Sequence, residues 1–166
     1  QPLPPYGACL LGSFNLVQYI EEVKVSNSSK FSFLYNKLKE DISPVVRAMD
    51  NVVDRTNYPL KEQEIESKNK RRIGLGITGL GNVLTLLNLN YGSPEAIKFI
   101  KKVLGIICYS SYEASSDLAK EKGSFPLFNK EKYLNNSVFV SKLPEHIRKK
   151  IASQGMRNSH LMSIAP

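Results

Sequence analysis

Residues 72–81 read RIGLGITGLG, a short apolar run interrupted by four glycines: Gly74, Gly76, Gly79 and Gly81. Because glycine lacks a Cβ, this pattern predicts a strand that another backbone approaches closely, followed by a tight turn. The preceding KEQEIESKNKRR (61–72) is typical of a very polar helix, and NVLTLLNL (82–89) predicts a further helix. The glycine-rich strand is therefore expected to lie between two helices.

The residues before this strand predict a second strand and a long helix. ACLL (8–11) is typical of a short buried strand after a rigid proline-rich turn, and SFNLVQYI (13–20) indicates one or two helical turns. VSNSSK (25–30) is typical of a polar surface loop. Apolar residues keep helical spacing over residues 33–55, and Pro44 inside that pattern predicts a kink or a break.

The residues after the strand predict two more helices and a last strand. Ser93 is a candidate N-cap for a helix of about 30 residues that ends near Gly123. LPEHIRKKIA (143–152) predicts a short helix, and HLMSIAP (160–166) predicts a buried strand. This alternation indicates the α/β class, with strands separated by crossover helices.

Composition excludes several classes of protein. The 166 residues carry a formal net charge of +8 and are 42% hydrophobic, as in a globular domain with a core. No apolar stretch reaches the roughly 18–20 residues of a membrane span, and no signal peptide is recognisable, so we expect no membrane partner and a cytoplasmic location. The basic residues lie among acidic ones, which is typical of solvated helix faces and does not favour a nucleic-acid partner. The excess charge also suits a phosphate-bearing substrate.

The glycine spacing at Gly74, Gly76 and Gly79 matches the G-x-G-x-x-G of dinucleotide-binding turns. That fingerprint requires an acidic residue at the end of the next strand, whereas the candidate here, Glu95, lies at a predicted helix start. Close packing of the backbone is therefore the favoured interpretation of these glycines.

Histidine and cysteine residues give no metal site by their spacing. His146 is expected on a helix surface, and His160 has no Cys, Asp or Glu suitably spaced beside it. Two cysteines, Cys9 and Cys108, make no disulfide framework, as expected in a reducing cytoplasm. Composition alone favours a core position for both.

Four blocks of the sequence, in this order, resemble the catalytic subunit of ribonucleotide reductase, most closely its adenosylcobalamin-dependent kind. They are QPLPPYGACLLGSFNL (1–16), RRIGLGITGLGNVLTLL (71–87), YGSPEA (91–96) and GMRNSHLMSIAP (155–166). The resemblance implies a ten-stranded α/β barrel with a central finger loop. Residues 1–166 are then expected to be a single segment of that barrel, truncated at both ends. The segment alone is expected to be inactive, because the radical cysteine lies upstream, and poorly soluble or molten, because its strand edges are unpaired.

The resemblance also implies roles for three residues. Cys9 matches one of the two cysteines that reduce the 2′ position of the ribonucleotide substrate and become a disulfide, which an external dithiol such as thioredoxin re-reduces. Leu11 matches a position that lines the nucleotide pocket, and Pro166 leads into the phosphate-binding loop. The radical-bearing cysteine of the N-P-C-G-E-type motif is expected just before Gln1, and a T-G-T-type loop just after Pro166. Arg157 and Asn158 are expected to be structural.

The resemblance further implies adenosylcobalamin as the radical source, the rest of the same catalytic chain as a partner, and a homodimer of the complete protein. Two other interpretations remain open. The chain could be a non-enzymatic, basic α/β module that binds nucleotides or nucleic acid, or a nicotinamide-dependent oxidoreductase. Substitution of Cys9 distinguishes the first of these from the reductase, because a redox thiol is needed only in the enzyme.

Overall fold

The computed structural model describes residues 3–25 and 28–164. The strands in these ranges are β1 (Leu10–Asn15), β2 (Ile20–Val25), β3 (Ser28–Phe33) and β4 (Ile73–Thr78). The α-helices are α1 (Tyr35–Arg55), α2 (Lys61–Lys70), α3 (Leu80–Leu86), α4 (Pro94–Lys122), α5 (Lys130–Asn135) and α6 (Glu145–Gln154). Two short 3-10 turns span Leu16–Tyr19 and Val140–Lys142.

A parallel sheet forms the centre of the fold. β1 pairs with β4 from Leu10 opposite Ile73 to the ends of both strands. Residues 161–163 add a short third segment on the other side of β4, where the Leu75 N–H donates to the Leu161 carbonyl at 2.7 Å. The segments of this sheet, β1, β4 and residues 161–163, are separated by helices along the chain, which confirms the α/β class. Within the described residues this sheet does not close into a barrel, so the ten-stranded barrel stays a prediction for the complete protein.

One face of the sheet packs against helix α1. Along β1, Leu10 and Phe14 face the core, and a Cβ built on Gly12 would lie 3.1 Å from the Met49 sulfur of α1. Ile73 of β4 is fully buried on the same side. Removing these apolar side chains from water is the main stabilising contribution to this layer.

Helix α4 follows the sequence prediction closely. The Ser93 hydroxyl accepts a hydrogen bond from the Ala96 N–H at 3.2 Å, as an N-cap does, and Pro94 occupies the first turn. The helix ends at Gly123, whose φ of 85° favours glycine. Its 29 residues make it roughly 44 Å long. α4 packs against both α1 and α6.

Helix α1 is continuous from Tyr35 to Arg55, so the predicted alternative of a break at Pro44 is wrong. Proline removes only one N–H from the helix ladder. The fully buried Ile42 and Val46, on either side of Pro44, keep the helix against the core. Packing of this apolar face therefore outweighs the local cost of the proline.

Three predictions about the first thirty residues are wrong. The strand predicted at 8–11 runs instead over Leu10–Asn15, and it is only half buried because one of its faces is open. It replaces the helix predicted at 13–20, of which only the 3-10 turn Leu16–Tyr19 forms after Asn15 caps the Val17 N–H. The predicted loop at 25–30 is largely part of the antiparallel hairpin of β2 and β3.

Candidate functional site

Cys9 and Leu11 lie together over one glycine of the neighbouring strand. A Cβ built on Gly74 would lie 2.7 Å from Leu11 Cδ2, 3.0 Å from Ser163 Cβ and 3.3 Å from Cys9 Sγ. The prediction that Cys9 and Leu11 point the same way is thereby confirmed, since both side chains reach the same point of the sheet. Because Gly74 has no side chain, the side chains of Cys9, Leu11 and Ser163 can meet above it.

This surface is the open face of the sheet, defined here by Cys9, Leu11, Ser13, Gly74 and Ser163. Leu11 is 56% exposed, and Ser13 is exposed, in contrast to the alternate residues of β1 that face α1. The exposed Leu11 side chain therefore gives an apolar contact next to the sulfur of Cys9, which directly precedes β1. A small molecule that approaches this face would reach both.

The glycines of β4 serve packing, as the sequence analysis favoured. A Cβ on Gly76 would lie 2.6 Å from the Ser163 carbonyl oxygen, a separation that real side chains do not adopt. Gly79 has a φ of 75°, and a Cβ there would lie 2.9 Å from Asn15 Oδ1. These contacts explain the glycines without a dinucleotide.

The thiol of Cys9 is partly buried and weakly hydrogen bonded. Its Sγ donates to the Leu10 carbonyl oxygen at 3.9 Å. Burial raises the pKa of the Cys9 thiol because the thiolate loses hydration, while the positive charge of Arg72 opposes that rise. Cys9 is therefore mostly a neutral thiol near pH 7, the form that can give up hydrogen to a substrate.

The two other predicted residues have different outcomes. Leu11 lies on the open face beside Cys9, which is compatible with a pocket wall there. Pro166 lies outside the described residues. The last described residues, Ser163 and Ile164, follow the segment that borders β4.

A buried polar network ties the C-terminal segment to the core. Asp50 of α1 is fully buried, and its carboxylate accepts hydrogen bonds from Arg71 Nε at 2.8 Å, Asn158 Nδ2 at 3.0 Å and Arg157 Nε at 3.1 Å. Arg71 also contacts Asp54 at 2.6 Å. The network confirms that Arg157 and Asn158 are structural. Sequence analysis missed Asp50, although a carboxylate on the apolar face of an amphipathic helix is a recognisable signal.

The same network holds Asn158 from the side of α4. The Ser115 hydroxyl donates to Asn158 Oδ1 at 2.9 Å and accepts from the Asn158 N–H at 3.1 Å. Asn158 Nδ2 further donates to the Arg71 carbonyl oxygen at 3.1 Å. Residues from α1, α4 and the end of α2 thus fix the chain just before it reaches the open face at Ser163.

The predicted positions of His146 and Cys108 are confirmed. His146 is exposed, and Cys108 is partly buried in α4 against the core, where burial raises its pKa to about 11. Burial, with Arg72 and Lys70 nearby, lowers the pKa of His160 to about 4, so its imidazole is neutral at pH 7. Within residues 3–25 and 28–164, no group of three His, Cys, Asp or Glu is placed to hold a metal ion.

Two further findings concern the surroundings of Cys9 and the length of the helices. The larger cavity, of about 600 Å³, is lined by aromatic side chains such as Tyr112 and Phe125 together with His160, and it does not include Cys9. No helix in the described part of the chain is long and apolar enough to cross a bilayer. Cys9 lies instead on the open face, beside a smaller cavity of about 200 Å³.

Comparison with known proteins identifies the family. The chain matches the family described as ribonucleotide reductase, barrel domain, over residues 1–166. It is 35% identical to the ribonucleoside-diphosphate reductase subunit alpha of Chlamydia pneumoniae over 179 aligned positions, which cover 95% of this chain and 16% of that protein. It is 36% identical to the vitamin B12-dependent ribonucleoside-diphosphate reductase of Thermoplasma acidophilum, over 76% of this chain and 16% of that protein.

A viral relative gives the same result. The ribonucleoside-diphosphate reductase large subunit of Variola virus is 32% identical over 95% of this chain and 21% of its own length. The chain therefore spans about a sixth to a fifth of the curated relatives that it matches. On the match to the barrel domain along its whole length, the chain belongs to the ribonucleotide reductase family.

Proposed function

We propose that the complete protein containing this chain reduces ribonucleotides to 2′-deoxyribonucleotides, and that Cys9 is one of the two cysteines that supply the electrons. The observation that carries this proposal is the position of Cys9 Sγ on the open face, 3.3 Å from the point above Gly74 where Leu11 and Ser163 also meet. A thiol at that place is partly protected by the sheet and still reachable by a substrate.

The chemistry requires two thiols. Replacing the 2′-hydroxyl of the ribose by hydrogen consumes two electrons and releases the oxygen as water. Cys9 and a second cysteine elsewhere in the complete protein each contribute one electron as their S–H bonds are lost and one S–S bond forms. An external dithiol of the thioredoxin kind then restores both thiols and is itself oxidised to a disulfide.

The open face supplies the binding surface in this proposal. Leu11 provides apolar contact for the nucleotide, and Pro166 leads the chain toward the substrate phosphates. The free edges of β1 and of residues 161–163 pair with further strands of the complete protein, which closes the ten-stranded barrel and turns the open face inward. The complete protein acts as a homodimer in the cytoplasm.

Adenosylcobalamin is the proposed radical source. The Thermoplasma relative is named as vitamin B12-dependent, whereas the names of the Chlamydia and Variola relatives mention no cofactor. When bound, the cofactor would supply the radical that starts the reaction. The steps assigned to this chain are the thiol chemistry of Cys9 and substrate contact on the open face.

The test is Cys9→Ser in the complete protein, with Cys108→Ser as the matched control. Cys9→Ser should abolish multiple turnover with a dithiol reductant, because no disulfide can form and be re-reduced. Cys108→Ser should keep turnover, because Cys108 lies in α4 away from the open face. Sustained turnover by Cys9→Ser at the wild-type rate would rule out the proposal and favour a packing role for this residue.

A further inference from the structure

A cavity of about 200 Å³ lies beside Cys9, between the start of the sheet and the helices α1 and α2. Its walls are apolar on the side of β1 and α1. The polar side chains that line it, together with the Cys9 thiol, are Thr56, Tyr58, Ser67 and Arg72. The cavity is large enough to hold water next to these polar groups. It therefore offers Cys9 a polar environment distinct from the open face.

Arg72 lies close to Cys9 at the start of the sheet. Leu10 is the first residue of β1 and pairs with Ile73, the first residue of β4, and Cys9 and Arg72 directly precede these two residues. Both side chains line the same cavity, and the charge of Arg72 acts on the Cys9 thiol. Arg72 is 9% exposed, which keeps its charge poorly screened by solvent.

Ser67 of α2 supplies the second observation. The residue is 6% exposed and lines the cavity, yet its buried hydroxyl has no hydrogen-bond partner among the described residues. A buried hydroxyl without a partner costs about 1–3 kcal/mol. Water in the cavity, or a thiolate formed on Cys9, would give this hydroxyl a partner.

We propose that Arg72 and Ser67 form a thiolate-stabilising site, which holds the Cys9 sulfur as an anion while its disulfide is re-reduced. The inference rests on the proposed redox role of Cys9. Arg72 acts through its charge, and the Ser67 hydroxyl donates to the sulfur directly or through water in the cavity. Both are positioning residues, since neither contacts the nucleotide.

The exchange chemistry explains why such a site is useful. A thiolate of the external dithiol attacks one sulfur of the enzyme disulfide, and the other sulfur leaves with the electron pair. The second thiolate of the dithiol then attacks the dithiol's own sulfur in the mixed disulfide, and the remaining enzyme sulfur leaves. The dithiol becomes a disulfide, and its two protons end on the enzyme sulfurs. Whichever sulfur is attacked first, Cys9 leaves once as a thiolate, and a more stable thiolate leaves faster.

Partial burial of Cys9 works against its departure as a thiolate. Desolvation raises the pKa of Cys9, and the charge of Arg72 is the opposing influence within the cavity wall. Tyr58, from the loop between α1 and α2, is the other titratable residue lining the cavity with Cys9, while Lys70 and His160 lie near Arg72. Without Arg72, the thiolate would form in a partly buried site with less positive charge to compensate it.

The experiment compares Arg72→Gln, Arg72→Lys and Ser67→Ala in the complete protein. Two quantities are measured: the ratio of the multiple-turnover rate with limiting dithiothreitol to the single-turnover burst of the pre-reduced enzyme, and the pH profile of Cys9 alkylation by iodoacetamide. Arg72→Gln should lower the ratio about three- to tenfold and move the alkylation midpoint to higher pH. Arg72→Lys should restore most of both, and Ser67→Ala should cause a smaller change in the same direction.

Two results would overturn the proposal. One is an Arg72→Gln enzyme with the wild-type ratio and the wild-type alkylation profile. The other is an equal loss of burst and turnover in Arg72→Gln and Arg72→Lys, which would indicate a general structural role. Ser67→Ala is a variant that should fold normally, because it removes only a hydroxyl without a hydrogen-bond partner in residues 3–25 and 28–164. If Cys9→Ser itself kept turning over, the proposed function would fail rather than this inference.

Discussion

The two faces of the parallel sheet differ although they are built from the same strands. On the packed face, Leu10, Phe14 and Ile73 lie against α1 and the core. On the open face, Leu11 is 56% exposed beside the partly buried Cys9. The packed face is made of large apolar side chains, and the open face is made of small residues, one leucine and one thiol.

Under the proposed function, this difference separates the residues that stabilise the fold from those that take part in the reaction. The packed face removes apolar area from water and so contributes to the free energy of unfolding. The open face contributes little to that free energy, and the glycines of β4 bring the Ser163 backbone close to it instead. A substitution should therefore affect either folding or reaction, according to the face on which it lies.

The largest expected effect is on the packed side, at the buried carboxylate of Asp50. Asp50→Ala leaves Arg71 without its buried partner and should lower the free energy of unfolding by about 3–5 kcal/mol. The measurement is urea denaturation of the complete protein. Asp54→Ala is the matched control, because Asp54 also binds Arg71 but its side chain is 44% exposed, so a loss of only about 1 kcal/mol or less is expected. Equal losses of unfolding free energy in the two variants would show that the burial of Asp50 does not determine the cost of removing it.

A pair of leucines compares the two faces directly. Leu75 of β4 is fully buried, and Leu75→Ala should cost about 2–5 kcal/mol of the free energy of unfolding. Leu11→Ala on the open face should change that free energy by only about 0.5 kcal/mol or less. Its effect should be a raised KM for the ribonucleotide, measured with the complete reductase. A large destabilisation by Leu11→Ala with an unchanged KM would contradict the separation of the two faces.

A pair of glycines gives the smallest expected effect. Gly76→Ala places a Cβ 2.6 Å from the Ser163 carbonyl oxygen, so the backbone must shift, at a cost of about 1–3 kcal/mol. Gly81→Ala in α3 meets nothing within 4 Å and should be neutral or stabilise the helix by up to about 1 kcal/mol. Thermal unfolding of both variants tests this. Similar melting temperatures would mean that Ser163 is not held against β4.

Much of the fold could be predicted from the sequence where local signals were strong. The cap at Ser93 and the stop at Gly123 set the bounds of α4, and the glycine spacing marked β4 as a close-packed strand. The extent of β1 could not be predicted, because pairing with β4 decides where a strand ends. The hairpin of β2 and β3 was missed because its polar sequence is typical of a loop.

The site was predictable only in part. The pairing of Cys9 with Leu11 on one face follows from the alternation of side chains along a strand, and their redox and binding roles came from resemblance to a family. The residues proposed to act on Cys9 could not be predicted, because only the folded protein brings Arg72 and Ser67 of α2 to the cavity beside it. Asp50 was missed because hydrogen bonds from residues 71, 157 and 158 join it only in the folded protein.

The most direct test of the central claim is the oxidation state of Cys9 after one turnover. The pre-reduced complete reductase is given ribonucleotide without dithiol, and free thiols are then alkylated and identified by peptide mass. We predict that Cys9 becomes protected from alkylation in proportion to the deoxyribonucleotide formed, and is released by dithiothreitol, while Cys108 does not change. Formation of deoxyribonucleotide with Cys9 still fully alkylated would contradict the account.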